Sequence, residues 1–224
     1  LARLRYVVLD ELHAYRGVFG THVALILRRL LRLARHYGAS PQVLAASATI
    51  ANAREHAEAL TGLPFEELKA QVARTERELL VLLPKPLDRR GERRRSPLLE
   101  AAYLARRLAE AGLKGLVFAG ARKSAELIAR YAAHPLVRPY RAGYTARERR
   151  RLEADLKEGR VRVLVSTSAL ELGVDIGELD AVVLVGYPGS TAAFWQRAGR
   201  AGRGERRALF VYLPRADPLG ESFL

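Results

Sequence analysis

Residues 4–13 read LRYVVLDELH, a short, largely apolar run that ends in two adjacent carboxylates. Runs rich in Val and Leu are typical of buried strands in parallel sheets. The carboxyl ends of such strands form the edge at which open α/β sheets bind ligands. The stretch therefore predicts a buried strand over 4–9 that delivers Asp10 and Glu11 to that edge. There, Asp10 can hold a hydrated Mg²⁺ ion, and Glu11 can orient and deprotonate an attacking water.

Strand and helix patterns alternate along the rest of the chain. Strand-like apolar runs lie at 43–46, 79–83, 115–118, 161–165, 181–185 and 208–212, and helical patterns lie at 22–37, 52–60, 98–111 and 124–133. Thr145 followed by Glu148 is typical of a capping box, so a further helix is expected to begin there. Strands that alternate with crossover helices predict an α/β fold with parallel sheets.

Residues 196–203 read QRAGRAGR, three arginines separated by two glycines. Side chains three apart lie on one face of a helical turn, and guanidinium groups placed in this way can converge on phosphate oxygens. The pattern predicts that Arg200 and Arg203 act as arginine fingers toward a nucleoside triphosphate. The alternative is an Arg-rich surface helix in an Arg-rich chain.

A polar loop, STSALELGVDIG, follows the predicted strand 161–165 at residues 166–177. Asp175, held between Gly173 and Gly177, can accept a hydrogen bond from a ribose hydroxyl. The alternative is an ordinary hydroxyl-rich loop with an Asp turn. The hydroxyl residues that leave the strand end can bind phosphate oxygens: Ser166, Thr167 and Ser168.

Two other strand ends carry candidate residues. Ser47 and Thr49 follow the strand 43–46 on either side of one alanine, and we assign them a coupling role, between the acidic pair and the next lobe, rather than chemistry. Arg122 and Lys123 precede a predicted helix, so cations and free backbone amides lie together as in an anion site.

The composition favours a polyanionic partner. The formal net charge is +14 and the pI is about 10.7, with 38 basic residues, nearly all arginine, against 24 acidic ones. Such a balance is typical of nucleic-acid-binding proteins. An Arg-rich proteome from a GC-rich or heat-adapted source would produce the same bias. No membrane-spanning run or signal-peptide pattern is present in the sequence, so a cytoplasmic location and no membrane partner are expected.

Taken in order, the acidic pair, the 47–49 segment, residues 166–177 and the arginine octet resemble motifs II, III, V and VI of superfamily 2 helicases. The segments DELHAYRGVFG at 10–20, ALELGVDIG at 169–177 and GYPG at 186–189 are further similar to DExH helicases related to bacterial mitomycin repair factor A. The resemblance covers nearly the whole chain. It implies RecA-like lobes, with the second half of lobe one at 1–83, an interlobe linker at 84–97 and most of lobe two at 98–224.

The same resemblance implies the cofactors, ATP and Mg²⁺, and a role for each motif residue. It assigns His13 a coupling role and places Arg122 and Lys123 in motif IV, which with motif V contacts nucleic acid. The partner would be DNA with a single-stranded tract, tracked 3′ to 5′ in damage repair, and accessory proteins or further domains are candidate partners. The residues implied to act on ATP are Asp10, Glu11, Gln196, Arg200 and Arg203 for hydrolysis, and Gly173 and Asp175 for binding.

One motif of this family is missing from the sequence. No Gly-x-x-x-x-Gly-Lys-Ser/Thr loop is present, and the nearest imitation, GLVFAGARKS at 115–124, does not place Lys123 where that loop requires it. The family's four-cysteine C-terminal domain is also missing, since the chain has no Cys. We therefore expect a fragment that does not itself hydrolyse ATP. The alternatives are a non-enzymatic nucleic-acid-binding fragment, a translocase that remodels protein on duplex DNA, and an RNA helicase.

Overall fold

The computed structural model describes residues 1–47, 52–68, 76–88, 94–167, 170, 176–202 and 207–215. The chain divides into two compact units, Leu1–Val72 and Ala73–Leu224, called here the first and the second unit.

The first unit is a two-stranded parallel sheet with two helices. Its elements are β1 (Tyr6–Leu9), a 3-10 turn (Leu12–Ala14), α1 (Gly17–His36), β2 (Gln42–Ala45) and α2 (Ala53–Thr61). The two strands pair in parallel from Tyr6 opposite Gln42 to Leu9 opposite Ala45. As the sequence predicts, α2 ends at Gly62, whose φ of 74° is the left-handed conformation typical of a helix C-cap.

The first unit has a small core built on one face of its sheet. Leu9 packs there with Leu12, with Leu27 of α1 and with Leu60 of α2. Within the residues that the structure describes, the predicted buried strand is therefore covered on one side. Alternate side chains of a strand point to opposite faces, and on the other face Tyr6 and Val8 are 59% and 66% exposed.

The second unit contains one six-stranded, fully parallel sheet in the order β3-β8-β7-β4-β6-β5. The strands are β3 (Arg77–Val81), β4 (Gly115–Phe118), β5 (Val137–Tyr140), β6 (Val163–Ser166), β7 (Ala181–Val185) and β8 (Ala208–Leu213). The helices are α3 (Pro97–Glu110), α4 (Arg122–Ala132), α5 (Ala146–Lys157) and α6 (Thr191–Ala198). The capping box predicted at Thr145 and Glu148 is present and begins α5.

Both faces of this sheet are covered, as a parallel sheet requires. On one face, Leu116 and Phe118 of β4 pack with Leu156 of α5 and Phe194 of α6. On the other face, Val117 packs with the alanines of α3 and with α4. The structure confirms the α/β class and the RecA-like parallel sheet expected from the sequence.

The boundary between the units differs from the predicted one at residue 83. Leu79–Leu83 was expected to end the first lobe, but β3 pairs with β8 from Arg77 opposite Ala208 to Val81 opposite Tyr212. The second unit therefore takes this strand, and it begins at Ala73 rather than after the predicted linker. The reason is a pairing between distant segments, which local sequence patterns do not reveal.

No helix within the described ranges is both long enough and apolar enough to cross a membrane.

Candidate functional site

The acidic pair lies in a tight turn at the carboxyl end of β1. The backbone N–H of Glu11 donates to Oδ1 of Asp10 at 2.9 Å. Glu11 has φ 52° and ψ 47°, a left-handed conformation that is rare for a residue with a side chain. The amide of Ala14 donates to the Glu11 carbonyl at 2.8 Å and closes the 3-10 turn. These two hydrogen bonds therefore fix the backbone of the turn that carries both carboxylates.

The segment after β2 is tied to this turn through backbone hydrogen bonds. The Ala46 amide donates to the Leu9 carbonyl at 2.8 Å, and the Leu12 amide donates to the Ala46 carbonyl at 2.9 Å. Ser47 is the next residue and is exposed, so the structure places it beside the acidic turn. Within the described part of the chain its hydroxyl makes no hydrogen bond to either carboxylate. Thr49 lies outside the described residues.

His13 is brought close to the acidic pair by the 3-10 turn. Its Nδ1 lies 3.4 Å from Oε2 of Glu11, and its side chain is 12% exposed, against 37% for the Glu11 side chain. The geometry is that of an electrostatic contact, since Nδ1 makes no hydrogen bond within the described residues. His56 of α2 completes this region, with Nε2 3.2 Å from the Leu12 carbonyl.

Asp10 fits a metal only as one ligand of several. One of its oxygens accepts from the Glu11 amide, and the other makes no hydrogen bond within the described ranges. Those ranges contain no cluster of three His, Cys, Asp or Glu that could hold a metal ion. Mg²⁺ usually keeps several waters and binds one or two carboxylates together with substrate phosphates. The exposed carboxylate of Asp10 suits that mode, through a bound water.

The first part of the arginine octet lies on α6 in the second unit. Ser190 caps this helix by accepting from the Ala193 amide at 3.2 Å. Gln196 is partly buried on it. Arg197, which was not among the predicted site residues, is 9% exposed, and its guanidinium lies 5.2 Å from the centre of the Phe118 ring. This arginine therefore packs the helix onto the sheet.

The helix ends at Ala198, so Arg200 lies in the tightened turn that follows it. The Arg200 amide donates to the Arg197 carbonyl at 3.1 Å. Arg200 itself is 7% exposed, less accessible than the sequence suggested for an arginine finger. Arg203 lies outside the described residues.

The turn after α6 is anchored at two points that the sequence did not reveal. Arg77 of β3 donates through Nε to the Ala201 carbonyl at 2.9 Å. The Gly202 amide donates to the Leu179 carbonyl at 3.1 Å, and Gly202 has φ 70°. The backbone that carries Arg200 is thus fixed from β3 and from the segment preceding β7.

Four further predicted residues follow or end β4 and β6. Ser166 is fully buried, and its hydroxyl has no hydrogen-bond partner within the described residues. A surface phosphate contact is therefore not open to it, whereas Thr167 is partly exposed. Arg122 and Lys123 are exposed in the first turn of α4, which has no side-chain cap. Ser168, Gly173 and Asp175 lie outside the described residues.

Two family models match the chain on either side of the unit boundary. The DEAD/DEAH box helicase model matches residues 1–57, and the helicase conserved C-terminal domain model matches residues 98–205. Both models describe helicase domains, so helicases with RecA-like lobes are the class of protein to which the chain is similar.

Within that class the chain is similar to helicases of the YprA and MrfA type. It is 41% identical over 227 residues to the ATP-dependent helicase YprA of Bacillus subtilis, covering 97% of this chain and 30% of the relative. It superposes on the crystal structure of the DUF1998 helicase MrfA bound to DNA and AMPPNP with a TM-score of 0.89 and 40% identity, covering 99% of this chain and 32% of that one.

A more distant similarity is to the helicase Lhr of Mycobacterium smegmatis, bound to ssDNA and AMP-PNP. The TM-score is 0.78 and the identity 32%, over 94% of this chain and 28% of that one. The chain thus spans about a third of the length of the relatives it matches.

Proposed function

We propose that this chain is part of an ATP-dependent DNA helicase or translocase. The observation that carries the proposal is the acidic turn after β1, in which Asp10 and a left-handed Glu11 follow the end of the strand. Two carboxylates at a strand end suit two different tasks. One can bind a metal ion through water, and the other can abstract a proton. The similarity to an ATP-dependent helicase and to helicases crystallised with AMPPNP supports ATP as the nucleotide.

In this proposal, each motif residue has a separate role in ATP hydrolysis. Asp10 holds Mg²⁺ through water, and Glu11 orients the attacking water and takes its proton. Bound Mg²⁺ would neutralise charge on the phosphates. The arginines of the octet, Arg200 and Arg203, stabilise the charge that develops on the transferred phosphoryl group, and Gln196 is the third octet residue proposed to act in hydrolysis. Gly173 and Asp175 contact the nucleotide, and His13, Ser47 and Thr49 couple hydrolysis to movement.

The proposed partner is DNA with a single-stranded tract. Exposed Arg122 and Lys123 at the start of α4 and partly exposed Thr167 would contact its phosphates. The crystal structures of MrfA with DNA and of Lhr with ssDNA support this choice over RNA. Movement from 3′ to 5′, a role in DNA repair and a cytoplasmic location complete the proposal, on the resemblance described from the sequence.

The catalytic assignment is tested in the whole protein by substitution. Glu11→Gln should abolish ATP hydrolysis and preserve ATP binding, because the amide keeps the shape of the side chain but cannot take a proton. Arg203→Ala should lower turnover by about 10³-fold or more, and Arg203→Lys should recover little, because a lysine lacks the planar fork. DNA-stimulated phosphate release is the measurement.

Arg207→Ala is the matched control for these variants. Arg207 lies next to β8, is exposed and pairs with Glu76 at 2.9 Å, so its loss removes the same charge outside the octet. If Arg203→Ala kept the turnover of Arg207→Ala, the arginine-finger role would be wrong. Normal turnover in Glu11→Gln would show that Glu11 is not the general base.

The 224-residue chain by itself is proposed to be inactive as an ATPase, because its sequence contains no Gly-x-x-x-x-Gly-Lys-Ser/Thr loop. Turnover on the order of 1 per second with single-stranded DNA present would overturn this. The chain should nevertheless bind single-stranded DNA weakly and with a steep salt dependence. Fluorescence anisotropy that is unchanged between about 50 and 200 mM salt would exclude binding through phosphates.

A further inference from the structure

Arg215 lies at the carboxyl edge of the sheet in the second unit. The ends of three neighbouring strands, β4, β7 and β8, are in register there. Phe118 of β4 is opposite Leu184 of β7, and Leu184 is opposite Tyr212 of β8. One residue beyond β7, the Gly186 amide donates to the Leu213 carbonyl at 2.8 Å. Arg215 follows β8 by two residues, so it begins directly beside this glycine.

The side chain of Arg215 crosses two glycines on its way along the edge. Its Cδ lies 3.0 Å from the point where a Cβ on Gly186 would stand, and its Nη2 lies 3.2 Å from the corresponding point on Gly120. The aliphatic stem therefore covers the end of β7, and the guanidinium reaches the end of β4. A side chain at either position would have to displace the arginine.

The backbone conformation of Gly120 does not itself require a glycine. Gly186 has φ +77°, which disfavours other residues, whereas Gly120 is not among the residues with positive φ. The nearest atoms to a Cβ at Gly120 all belong to the Arg215 guanidinium. Within the described residues, the space beside Gly120 is therefore occupied by this cation, which a Cβ there would force to shift.

The charge of Arg215 is not neutralised by the part of the protein that the structure describes. Arg215 is partly buried and makes no hydrogen bond or ion pair there. Taking a charge partly out of water without a partner is unfavourable. Arg122 and Lys123 follow Gly120 at the start of α4; they are exposed and, like Arg215, make no ion pair in the described ranges. Three cations at one sheet edge suit a chain of phosphates.

We propose that Arg215 binds a backbone phosphate of single-stranded DNA, in a position set by Gly120 and Gly186. The proposal rests on the proposed function, since it adds a residue outside the helicase motifs to the DNA-binding edge of the second unit. Arg122 and Lys123 hold the neighbouring phosphates. The planar guanidinium suits a phosphate because it can donate two parallel hydrogen bonds.

The test compares Arg215→Gln with Arg138→Gln in the 224-residue chain. Glutamine keeps part of the stem over Gly186 and removes the charge, and Arg138 is an exposed arginine on β5 that controls for net charge. Binding of a fluorescent oligothymidine is measured by anisotropy across a salt series. Arg215→Gln should bind roughly tenfold more weakly at low salt. Its salt slope should fall by about 0.7, the value of one phosphate contact on a single strand.

A second variant tests the role of the glycine. Gly120→Ala should push the guanidinium aside and weaken DNA binding in the wild-type background, while leaving binding unchanged when Arg215→Gln is already present. Such non-additivity is expected only if both changes act on one contact. Thermal unfolding of each variant shows whether a loss of binding comes from a loss of fold.

The outcomes separate this proposal from the function on which it rests. If the wild-type chain did not bind oligothymidine, the proposed DNA binding would be wrong. If it bound and Arg215→Gln matched Arg138→Gln in affinity and slope, only the Arg215 contact would be wrong. Equal losses from Gly120→Ala in both backgrounds, or a loss accompanied by unfolding in both Arg215→Gln and Gly120→Ala, would also overturn the contact and leave Arg215 a packing residue.

Discussion

Glu11, the proposed general base, has a backbone conformation that is unfavourable for a residue with a side chain. The left-handed region costs a residue with a Cβ roughly 1 kcal/mol or more. The neighbouring hydrogen bonds, from Glu11 N–H to Asp10 Oδ1 and from Ala14 N–H to the Glu11 carbonyl, hold it there. The turn therefore stores strain at the residue proposed to act on water.

This strain predicts that the usual order of stability of an alanine and a glycine variant is reversed at position 11. Glycine normally destabilises a fold relative to alanine, but at position 11 Glu11→Gly should be more stable than Glu11→Ala by about 1 kcal/mol, because only glycine adopts φ 52° without a clash. Urea unfolding of the two variants measures the difference.

The control is Glu55, an exposed residue within α2 of the same unit. There the usual order should hold, with Glu55→Ala more stable than Glu55→Gly by about 1 kcal/mol. The same order at both positions would show that the turn at Glu11 is not strained in solution.

At the residue scale, the proximity of site residues could be predicted from the sequence more reliably than their exposure to solvent. The acidic pair, Ser47 and His13 do lie together, because short contiguous motifs follow the strand ends. The burial of Ser166 and Arg200 was not predictable, since it depends on elements packed above them. Arg77, which anchors the octet, gave no signal because its acceptor lies 124 residues away.

At the element scale, β5 and α5 are joined by a buried polar contact. The Tyr140 hydroxyl donates to Oε1 of Glu153 at 2.7 Å, and Tyr140 is 1% exposed. Burial, followed by the hydrogen bond to the Glu153 carboxylate, raises the pKa of Tyr140 to about 12. The phenol is therefore held in its protonated form.

This contact predicts a loss of stability in alkali. An unfolded tyrosine loses its proton near pH 10, whereas folded Tyr140 keeps it to about pH 12. The stabilisation is full below pH 10 and is lost as the pH rises toward 12, by roughly 2–3 kcal/mol in total. Tyr140→Phe should be less stable than wild type by roughly 1–3 kcal/mol at pH 7, and this gap should narrow between pH 10 and 12.

Denaturant unfolding at pH 7, 10, 11 and 12 measures the gap. Tyr131→Phe is the control, because Tyr131 is 46% exposed and makes no hydrogen bond within the described ranges. A gap for Tyr140→Phe that stayed constant across this range would mean that Tyr140 titrates normally in the folded protein.

Most elements were predictable because their apolar runs are strong. The strands at 115–118 and 181–185 lie where the sequence places them, and the helix predicted over 98–111 is α3 at Pro97–Glu110. No strand was predicted at β5, because it contains Arg138 and Pro139 and lacks an apolar run. Such a strand is tolerated because it lies at the edge of the sheet.

At the scale of the whole molecule, the two units differ in what they bury. Within the described residues, the second unit has core on both faces of the five strands β4 to β8, whereas the two strands of the first unit have core on one face. Two-stranded sheets are marginal on their own. The order of the two lobes along the chain was predictable from the motifs. The boundary between the units was not, because it depends on the sheet in which β3 pairs.

This boundary gives a prediction about shortened chains. Residues 73–224 should unfold cooperatively by themselves, because they keep all six strands of the sheet. Residues 84–224, cut at the boundary expected from the sequence, lack β3 and should be markedly less stable, since β8 loses the partner that covers its edge. Circular dichroism during thermal unfolding compares the two chains. Equal midpoints would mean that β3 adds nothing to the second unit.

The pairing of β3 with β8 also constrains the order in which the protein can fold during synthesis. The contact between Glu76 and Arg207 beside these strands spans 131 residues. On the ribosome, β3 therefore emerges long before its partner and must wait while every other strand of the sheet is made. Contacts between such distant segments form slowly and leave apolar strands exposed meanwhile. Ribosome-bound chains arrested before Ala208 should accordingly be cleaved by protease within 77–81, and chains released after Leu213 should be protected there.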